Sequence, residues 1–211
     1  MGIPALVEGH LETVFLPVVL RQIGRGDLQP TIRDARGGSG FWKAAVRYNQ
    51  AGRHGVVIGL ADLEKAECAS SLFVAHLRRK NPGFHLRIAV RMLESWLMAD
   101  RAAMADFLRI PISSIPIEPD SEGHPKRKLV DLVRKSTSKT IRDAMLPQDS
   151  GGTVGPEYVP TMTEFISGRW RAEQARILSP SLERACQRWA AIELASAFGA
   201  SESPQSGVQV L

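Results

Sequence analysis

Apolar residues in the first hundred positions fall into short runs of strand length, separated by longer segments of mixed polarity. Four such runs predict β-strands at 4–9, 28–35, 54–64 and 84–90, the second being the weakest. The third run, "HGVVIGLADLE", holds an almost continuous stretch of Val, Ile and Leu, which is typical of a strand buried on both faces of a sheet.

The segments between these runs place apolar residues three and four positions apart, as a helix with one buried face does. They predict helices at 11–24, 38–52, 66–81 and 93–110. Strand and helix therefore alternate four times. This order is typical of an α/β fold in which a mostly parallel sheet is flanked by helices.

The composition of the sequence changes after Pro111. Residues 111–125 contain four prolines and predict a loop. Two or three helices are expected to follow, separated by the Gly- and Pro-rich stretch 146–160. The segment 179–199 predicts a last helix with Ser179 as its N-cap.

These patterns divide the chain of 211 residues into three parts. We expect an α/β core at 1–110, a helical extension packed on that core at 111–200, and a disordered tail at 201–211. The length suits one domain of ordinary size with such an extension.

Composition argues against several classes of protein. No apolar run approaches the ~20 residues that a membrane-spanning helix needs. The two cysteines, Cys68 and Cys186, lie far apart and outside any Cys-x-x-Cys, so neither a zinc site nor a disulfide framework is indicated. We therefore expect a cytoplasmic protein without membrane contact.

The net charge of +5 and the pI near 9.6 favour an acidic partner such as nucleic acid. Basic residues cluster at 76–80, 124–142 and 168–176. A solvated helix face is the alternative explanation for any one of them. Five basic residues of the second cluster are candidates for binding the phosphates of nucleic acid: Lys126, Arg127, Lys128, Arg134 and Lys135.

Acidic residues end two of the predicted strands. Glu8 follows the first strand, while Asp62 and Glu64 end the strongest one, at a spacing that puts both on the same side of an extended chain. Ligand sites of parallel sheets lie at the carboxyl ends of the strands, so these side chains are expected to converge. Three carboxylates repel one another without a cation, and Mg²⁺ prefers oxygen ligands. The pattern predicts a site for Mg²⁺ or Mn²⁺.

Three further residues are candidates for the same site. Glu12 lies one helical turn after Glu8 and could join the metal ligands, although the helix dipole also favours a glutamate in a first turn. Glu94 begins a helix directly after a strand, so a metal-proximal role and a structural role fit equally well. His10 lies two residues past Glu8 and is a candidate general base.

Three segments resemble the landmarks of a Toprim-like family of bacterial proteins: "LVEGHLETVF", "VVIGLADLEKAEC" and "RIAVRMLESWLMADRAAMADFL". Toprim is the metal-binding domain of topoisomerases, primases and the overcoming-lysogenization-defect nucleases, with a Glu-Gly after the first strand and an Asp-x-Asp after a later one. Glu8-Gly9 and Asp62-Leu63-Glu64 hold those places here. Glu64 departs from the pattern, because it keeps the charge of Asp on a longer side chain.

The resemblance implies a metal-dependent nuclease, of a group often encoded beside an ATPase in anti-phage systems. Glu8 would then orient the attacking water or act as general acid/base, while Asp62 and Glu64 would carry Mg²⁺ or Mn²⁺. An ATPase partner would supply recognition and control.

Two other functions fit the same residues. The chain could be a non-catalytic sensor or scaffold subunit of an ATPase complex, with a vestigial acidic cluster. It could also catalyse a different metal-dependent phosphotransfer or nucleotide hydrolysis at the same carboxylates. Taken without the resemblance, the residues imply a divalent-metal site and no particular reaction.

Other prominent residues have simpler explanations. The glycine-rich "RGGSGFW" (36–42) lacks the Gly-Lys-Ser/Thr ending of a P-loop, so a turn that starts a helix explains it better than a phosphate site. Trp96 is expected in the core, Asp100 on the surface or in an ion pair, and Cys68 packed on a helix.

Overall fold

The computed structural model describes residues 2–148 and 151–194, and four strands within them form one sheet. The strands are β1 (Ile3–Val7), β2 (Pro30–Asp34), β3 (Val57–Asp62) and β4 (Phe84–Ala89). They lie in the order β2-β1-β3-β4, and every neighbouring pair is parallel. The predicted α/β fold with a mostly parallel sheet is confirmed.

Helices connect the strands, because parallel strands cannot be joined by a tight turn. The first three are α1 (His10–Gln22), α2 (Gly38–Ala51) and α3 (Ala69–His76). A short 3₁₀ helix, Gly26–Leu28, precedes β2. The helices α2 and α3 fall within the segments predicted from the apolar spacing, and α1 begins one residue before its segment.

The segment predicted as one helix at 93–110 is two helices, α4 (Leu93–Ala99) and α5 (Arg101–Leu108). Asp100 separates them, with backbone angles outside the helical region, and its carboxylate caps α5 by accepting from the Ala103 N–H. The same carboxylate accepts hydrogen bonds from the backbone N–H and the guanidinium of Arg171. A contact that distant in sequence leaves no trace in the local apolar pattern.

The described part of residues 111–194 holds five helices rather than the two or three expected. Their bounds are Pro125–Arg134 (α6), Lys139–Met145 (α7), Tyr158–Gly168 (α8), Ala172–Leu178 (α9) and Pro180–Ala190 (α10). Ser179 caps α10, as predicted, by accepting from the Leu182 N–H. Two 3₁₀ turns, Ile112–Ser114 and Pro119–Ser121, precede these helices. The tail predicted at 201–211 lies outside the described residues.

The two faces of the sheet carry separate hydrophobic cores. Ala5 and Val7 of β1 join the core shared by α1 and the later helices, whereas Leu6 joins the core under α2. This alternation follows from the two-residue period of a strand. The helices after Pro111 thus complete the covering of one face.

Large aromatic side chains join the later helices to the first half of the chain. The ring of Phe15 packs against those of Trp96 and Trp170, with centroids 5.7 and 4.9 Å apart. The indole N–H of Trp170 donates to the Trp96 carbonyl, and the indole N–H of Trp96 donates to the Ser181 hydroxyl. Trp96 is therefore a core residue, as expected.

None of the helices in residues 2–148 and 151–194 has both the length and the apolar character needed to cross a membrane.

We expect Asp100→Ala to lower the free energy of unfolding by about 2–3 kcal/mol, because it removes a helix cap and leaves the Arg171 guanidinium without its buried partner. Chemical denaturation measures the difference. Asp143→Ala is the matched control, since its pair with Lys139 is exposed and should contribute about 0.5 kcal/mol or less. Equal effects of the two substitutions would contradict the proposed role of Asp100.

Candidate metal centre

Glu8 and Asp62 lie side by side at the carboxyl ends of β1 and β3. Residue Val7 of β1 pairs with Leu60 of β3, so the chain reaches the sheet edge at neighbouring points. The backbone N–H of Asp62 donates to Oε2 of Glu8 over 3.0 Å. The expected convergence of these two residues is therefore present in the fold.

Glu12 and Glu94 come from the first turns of α1 and α4, and both side chains are buried beside this pair. Burial raises the pKa of Glu12 to about 7, with a further contribution from the charges of Glu94 and Glu8. Burial also raises the pKa of Asp62 well above its ordinary value, and the charges of Glu12, Glu94 and Glu8 add to the effect. The neighbouring carboxylates thus oppose the ionisation of Glu12 and Asp62.

Lys126 of α6 supplies the opposing charge. Its Nζ lies 3.4 Å from Oε1 of Glu94. Burial by itself lowers the pKa of this lysine, but the attraction of Glu94, Asp62 and Glu12 outweighs burial and the pKa is raised. Lys126, predicted as a contact for nucleic acid, is therefore also the counter-ion of the acidic cluster.

Hydrogen bonds orient the carboxylates. Oδ1 of Asp62 accepts from the Leu93 N–H at the start of α4, over 2.9 Å. The hydroxyl of Tyr158, at the start of α8, donates to Oε1 of Glu94 over 3.0 Å. These contacts compensate part of the cost of burying the carboxylates.

The glycine-rich turn predicted at 36–42 packs against Glu8. The N–H of Gly37, a residue at φ 110°, donates to the Glu8 carbonyl over 2.7 Å, and α2 then begins at Gly38. A Cβ on Gly38 would lie 3.3 Å from Oε1 of Glu8, so the absence of a side chain permits this approach. The turn thus starts a helix and directs its positive end toward a carboxylate.

The expectation that Asp62 and Glu64 extend from the same side of a strand is wrong. β3 ends at Asp62, and Glu64 has a φ of 49°, in the left-handed region, with its N–H donating to the Arg91 carbonyl. The chain therefore turns between the two acids. The Asp62 side chain is buried, while the Glu64 side chain is exposed to solvent.

All five predicted acidic residues line one cavity of about 270 Å³: Glu8, Glu12, Asp62, Glu64 and Glu94. Hard carboxylate oxygens of this kind are the ligands that Mg²⁺ prefers, so the chemistry of the donor set fits the predicted metal. The arrangement of these side chains fits a bound metal less well. Within the described residues no three His, Cys, Asp or Glu side chains are arranged to hold one ion, and several oxygens bond to amides, Tyr158 or Lys126 instead.

The remaining nucleic-acid candidates divide into two groups. Arg127 and Arg134, together with Lys126, line a cavity of about 610 Å³ next to the acidic one. Lys128 instead lies 3.6 Å from the carboxylate of Glu122, and Lys135 is the exposed residue that ends α6.

His10, the candidate general base, is exposed, and its Nδ1 lies 4.0 Å from a carboxylate oxygen of Asp34. Cys68 does not pack on a helix as expected, because it is exposed and caps α3 by accepting from the Ser71 N–H. Asp100 forms the expected ion pair with Arg171, but its own side chain is only 1% exposed.

Tyr158 was not among the residues predicted for the site, nor was Thr153 on the cavity wall. Both lie in the Gly- and Pro-rich segment 146–160, whose composition predicts a loop between helices rather than part of a binding site. A tyrosine placed at the start of an amphipathic helix gives no local signal that its hydroxyl meets a glutamate 64 positions away.

Compared with protein-family models, with curated proteins and with solved structures, the chain has no significant match in any of the three. The resemblance to the Toprim-like family therefore remains a prediction from the quoted segments.

We expect Glu12→Gln to stabilise the protein at high pH when divalent metals are removed with EDTA. An acid whose pKa is higher in the folded than in the unfolded state binds more protons when folded, so stability is lost as the pH rises from about 4.5 to about 7. The substitution removes this cost. The free energy of unfolding should rise by about 1–3 kcal/mol near pH 8 and change little near pH 4.

Urea denaturation at several pH values measures the effect. Glu67→Gln, at an exposed position between β3 and α3, is the matched control and should behave as wild type. Destabilisation by Glu12→Gln throughout the pH range would contradict the electrostatic account of the cluster.

Proposed function

We propose that this protein is a divalent-metal-dependent nuclease that cleaves phosphodiester bonds in nucleic acid. One observation carries the proposal: four buried carboxylates, from three segments of the chain, line a single cavity that adjoins a basic cavity. Such an arrangement joins a place for a hard cation to a place for a phosphate backbone.

The electrostatic cost of the cluster favours a bound cation. Like charges that meet in a buried place destabilise the fold unless they take up protons or find a counter-charge. Lys126 contributes one positive charge against Glu8, Glu12, Asp62 and Glu94. One divalent ion would offset two of the three negative charges that remain when all four acids are ionised. Among the described residues, the cavity wall offers no second buried cation.

Four buried residues would hold Mg²⁺ or Mn²⁺, namely Glu8, Glu12, Asp62 and Glu94, with Glu64 at the solvent side of the cavity. A bound metal would stabilise negative charge on the phosphoryl and leaving oxygens. Turning carboxylate oxygens away from their present hydrogen bonds is part of forming such a site.

Proton transfer is the second task that these residues can perform. Without a metal the pKa of Glu12 lies at about 7, so its carboxyl would release its proton as it becomes a ligand of the ion. Glu8 can orient a water for attack on phosphorus. Lys126 lies on the walls of both cavities, so its ammonium can leave Glu94 for a substrate phosphate.

The resemblance to the Toprim-like family supports a wider context. We place the protein in the cytoplasm, acting with an ATPase encoded nearby in defence against phages. That ATPase would supply recognition and control.

A non-catalytic sensor or scaffold subunit is the second candidate. It is favoured by the placement of the carboxylates, of which no three within the described residues are arranged around one ion, and by the outward position of Glu64. In that case the acidic cluster would be vestigial.

We expect the purified protein to cleave plasmid, single-stranded DNA or transfer RNA when Mn²⁺ or Mg²⁺ is present, alone or with the neighbouring ATPase. Asp62→Asn should lower the rate by about 10²-fold or more with the fold intact, because a carboxylate is lost from the site. Glu67→Gln should cleave as wild type. Absence of metal-dependent cleavage under all these conditions would favour the scaffold.

Metal binding gives an independent test. Near pH 8 we expect Mg²⁺ or Mn²⁺ to stabilise the wild-type protein, by about 1.4 kcal/mol at a free concentration roughly ten times the Kd. Asp62→Asn should show a much smaller shift in thermal unfolding. A wild-type protein insensitive to millimolar metal would contradict the proposed site.

A further inference from the structure

A second basic groove lies on the opposite side of the acidic cluster, between β2 and α2. Its volume is about 830 Å³, and four cationic side chains line it: Arg33, Arg36, Lys43 and Arg47. None of the four belongs to the basic clusters singled out in the sequence, because they are spread over a strand, a turn and a helix. The fold brings them to one wall.

The positive charge of this groove is not balanced locally. Among the residues that the structure describes, Asp34 is the one acid lining it, and its carboxylate already accepts from the backbone N–H of Arg36 over 2.7 Å. Within the described residues none of the four cations forms a salt bridge. Arginines elsewhere on the surface, such as Arg25 and Arg169, are paired with Asp27 and Asp106.

The groove adjoins a cavity that reaches the acidic cluster. Lys43 lines both this groove and a cavity of about 560 Å³, and that cavity also contains Glu8, Asp62 and Glu64. Those three acids line the acidic cavity as well. Lys126 then connects the acidic cavity to the basic cavity beside α6. The acidic cavity therefore lies between two basic surfaces, the groove between β2 and α2 and the cavity beside α6.

Aromatic rings lie along the same path. The rings of Trp42 and His76 stack with centroids 4.4 Å apart and planes at 12°, and both residues line the cavity next to the second groove. His76 is exposed, whereas Trp42 is buried beneath it in the core under α2. Proteins bind unpaired bases by stacking them on flat side chains of this kind beside a basic groove.

We infer that a single nucleic-acid strand crosses the acidic cluster with its backbone bound on both sides, in the cavity beside α6 and in the groove between β2 and α2. The inference deepens the proposed nuclease function and rests on it for the identity of the ligand. It assigns to Arg36, Lys43 and Arg47 the binding of phosphates on one side of the cleavage position. His76 is placed to stack on a base of the same strand.

The test is binding of labelled single-stranded DNA, and of RNA of the same sequence, each of about 30 nucleotides, which exceeds a binding site of ~4–16 nucleotides. Fluorescence anisotropy is measured over a range of salt concentrations with Ca²⁺ in place of Mg²⁺. Arg36→Gln/Arg47→Gln removes two cations of the groove. Arg184→Gln/Arg188→Gln is the matched control, since both arginines are exposed on α10 and line none of these cavities.

We expect Arg36→Gln/Arg47→Gln to weaken the affinity for DNA or RNA about tenfold, and to reduce the slope of log K against log salt by about 1.4, at about 0.7 per lost phosphate contact. The control should retain wild-type affinity and slope. His76→Ala should weaken binding without changing the slope, because a stacked ring carries no phosphate contact.

Unchanged affinity and slope in Arg36→Gln/Arg47→Gln, with weakened binding in Arg127→Gln/Arg134→Gln, would overturn the inference and leave the nuclease proposal standing. An equal loss of affinity in Arg184→Gln/Arg188→Gln would also overturn it, because the net charge of the protein, rather than the position of the arginines, would then explain binding. The proposed nuclease activity can also fail while the inference holds. A protein that binds nucleic acid through both grooves but never cleaves it would support the inference and contradict the nuclease activity.

Discussion

The candidate site depends on the parallel pairing of β1 with β3. This pairing brings Glu8 and Asp62 to adjacent points of the sheet edge, where the Asp62 N–H donates to the Glu8 side chain over 3.0 Å. The helices that follow β1 and β4 start at that edge, so their first turns add Glu12 and Glu94. Acids from three regions of the chain, at residues 8–12, 62 and 94, become neighbours because the parallel strands β1, β3 and β4 end at the same edge of the sheet.

Burying these acids opposes stability, and the surrounding structure compensates only in part. Lys126 and Tyr158 both contact Glu94, while backbone amides serve Glu8 and Asp62. A protein built for stability alone would place apolar side chains there. Conflicts of this kind between folding and local chemistry are concentrated at functional sites, which is the physical reason for interpreting the cluster as a site.

The fold brings together positive charges that are dispersed along the chain. Lys126 and Arg127 lie on one side of the acids, and Arg36 and Arg47 on the other. A phosphate backbone could be attracted on both sides of a region that repels it without metal. Metal binding would then decide whether the two basic surfaces act together.

The sequence by itself determined the four strands, the helices α1, α2, α3 and α10, and the acids at the ends of β1 and β3. Strand and helix periods are local, and the rule that ligand sites lie at the carboxyl edge of the sheet is topological. Tertiary structure decided the rest. Asp100 interrupts a helix for Arg171, Glu64 turns outward at a left-handed φ, and Tyr158 meets Glu94. Each depends on contacts or backbone angles set by segments far apart in the chain, and such contacts impose no periodic pattern on either segment.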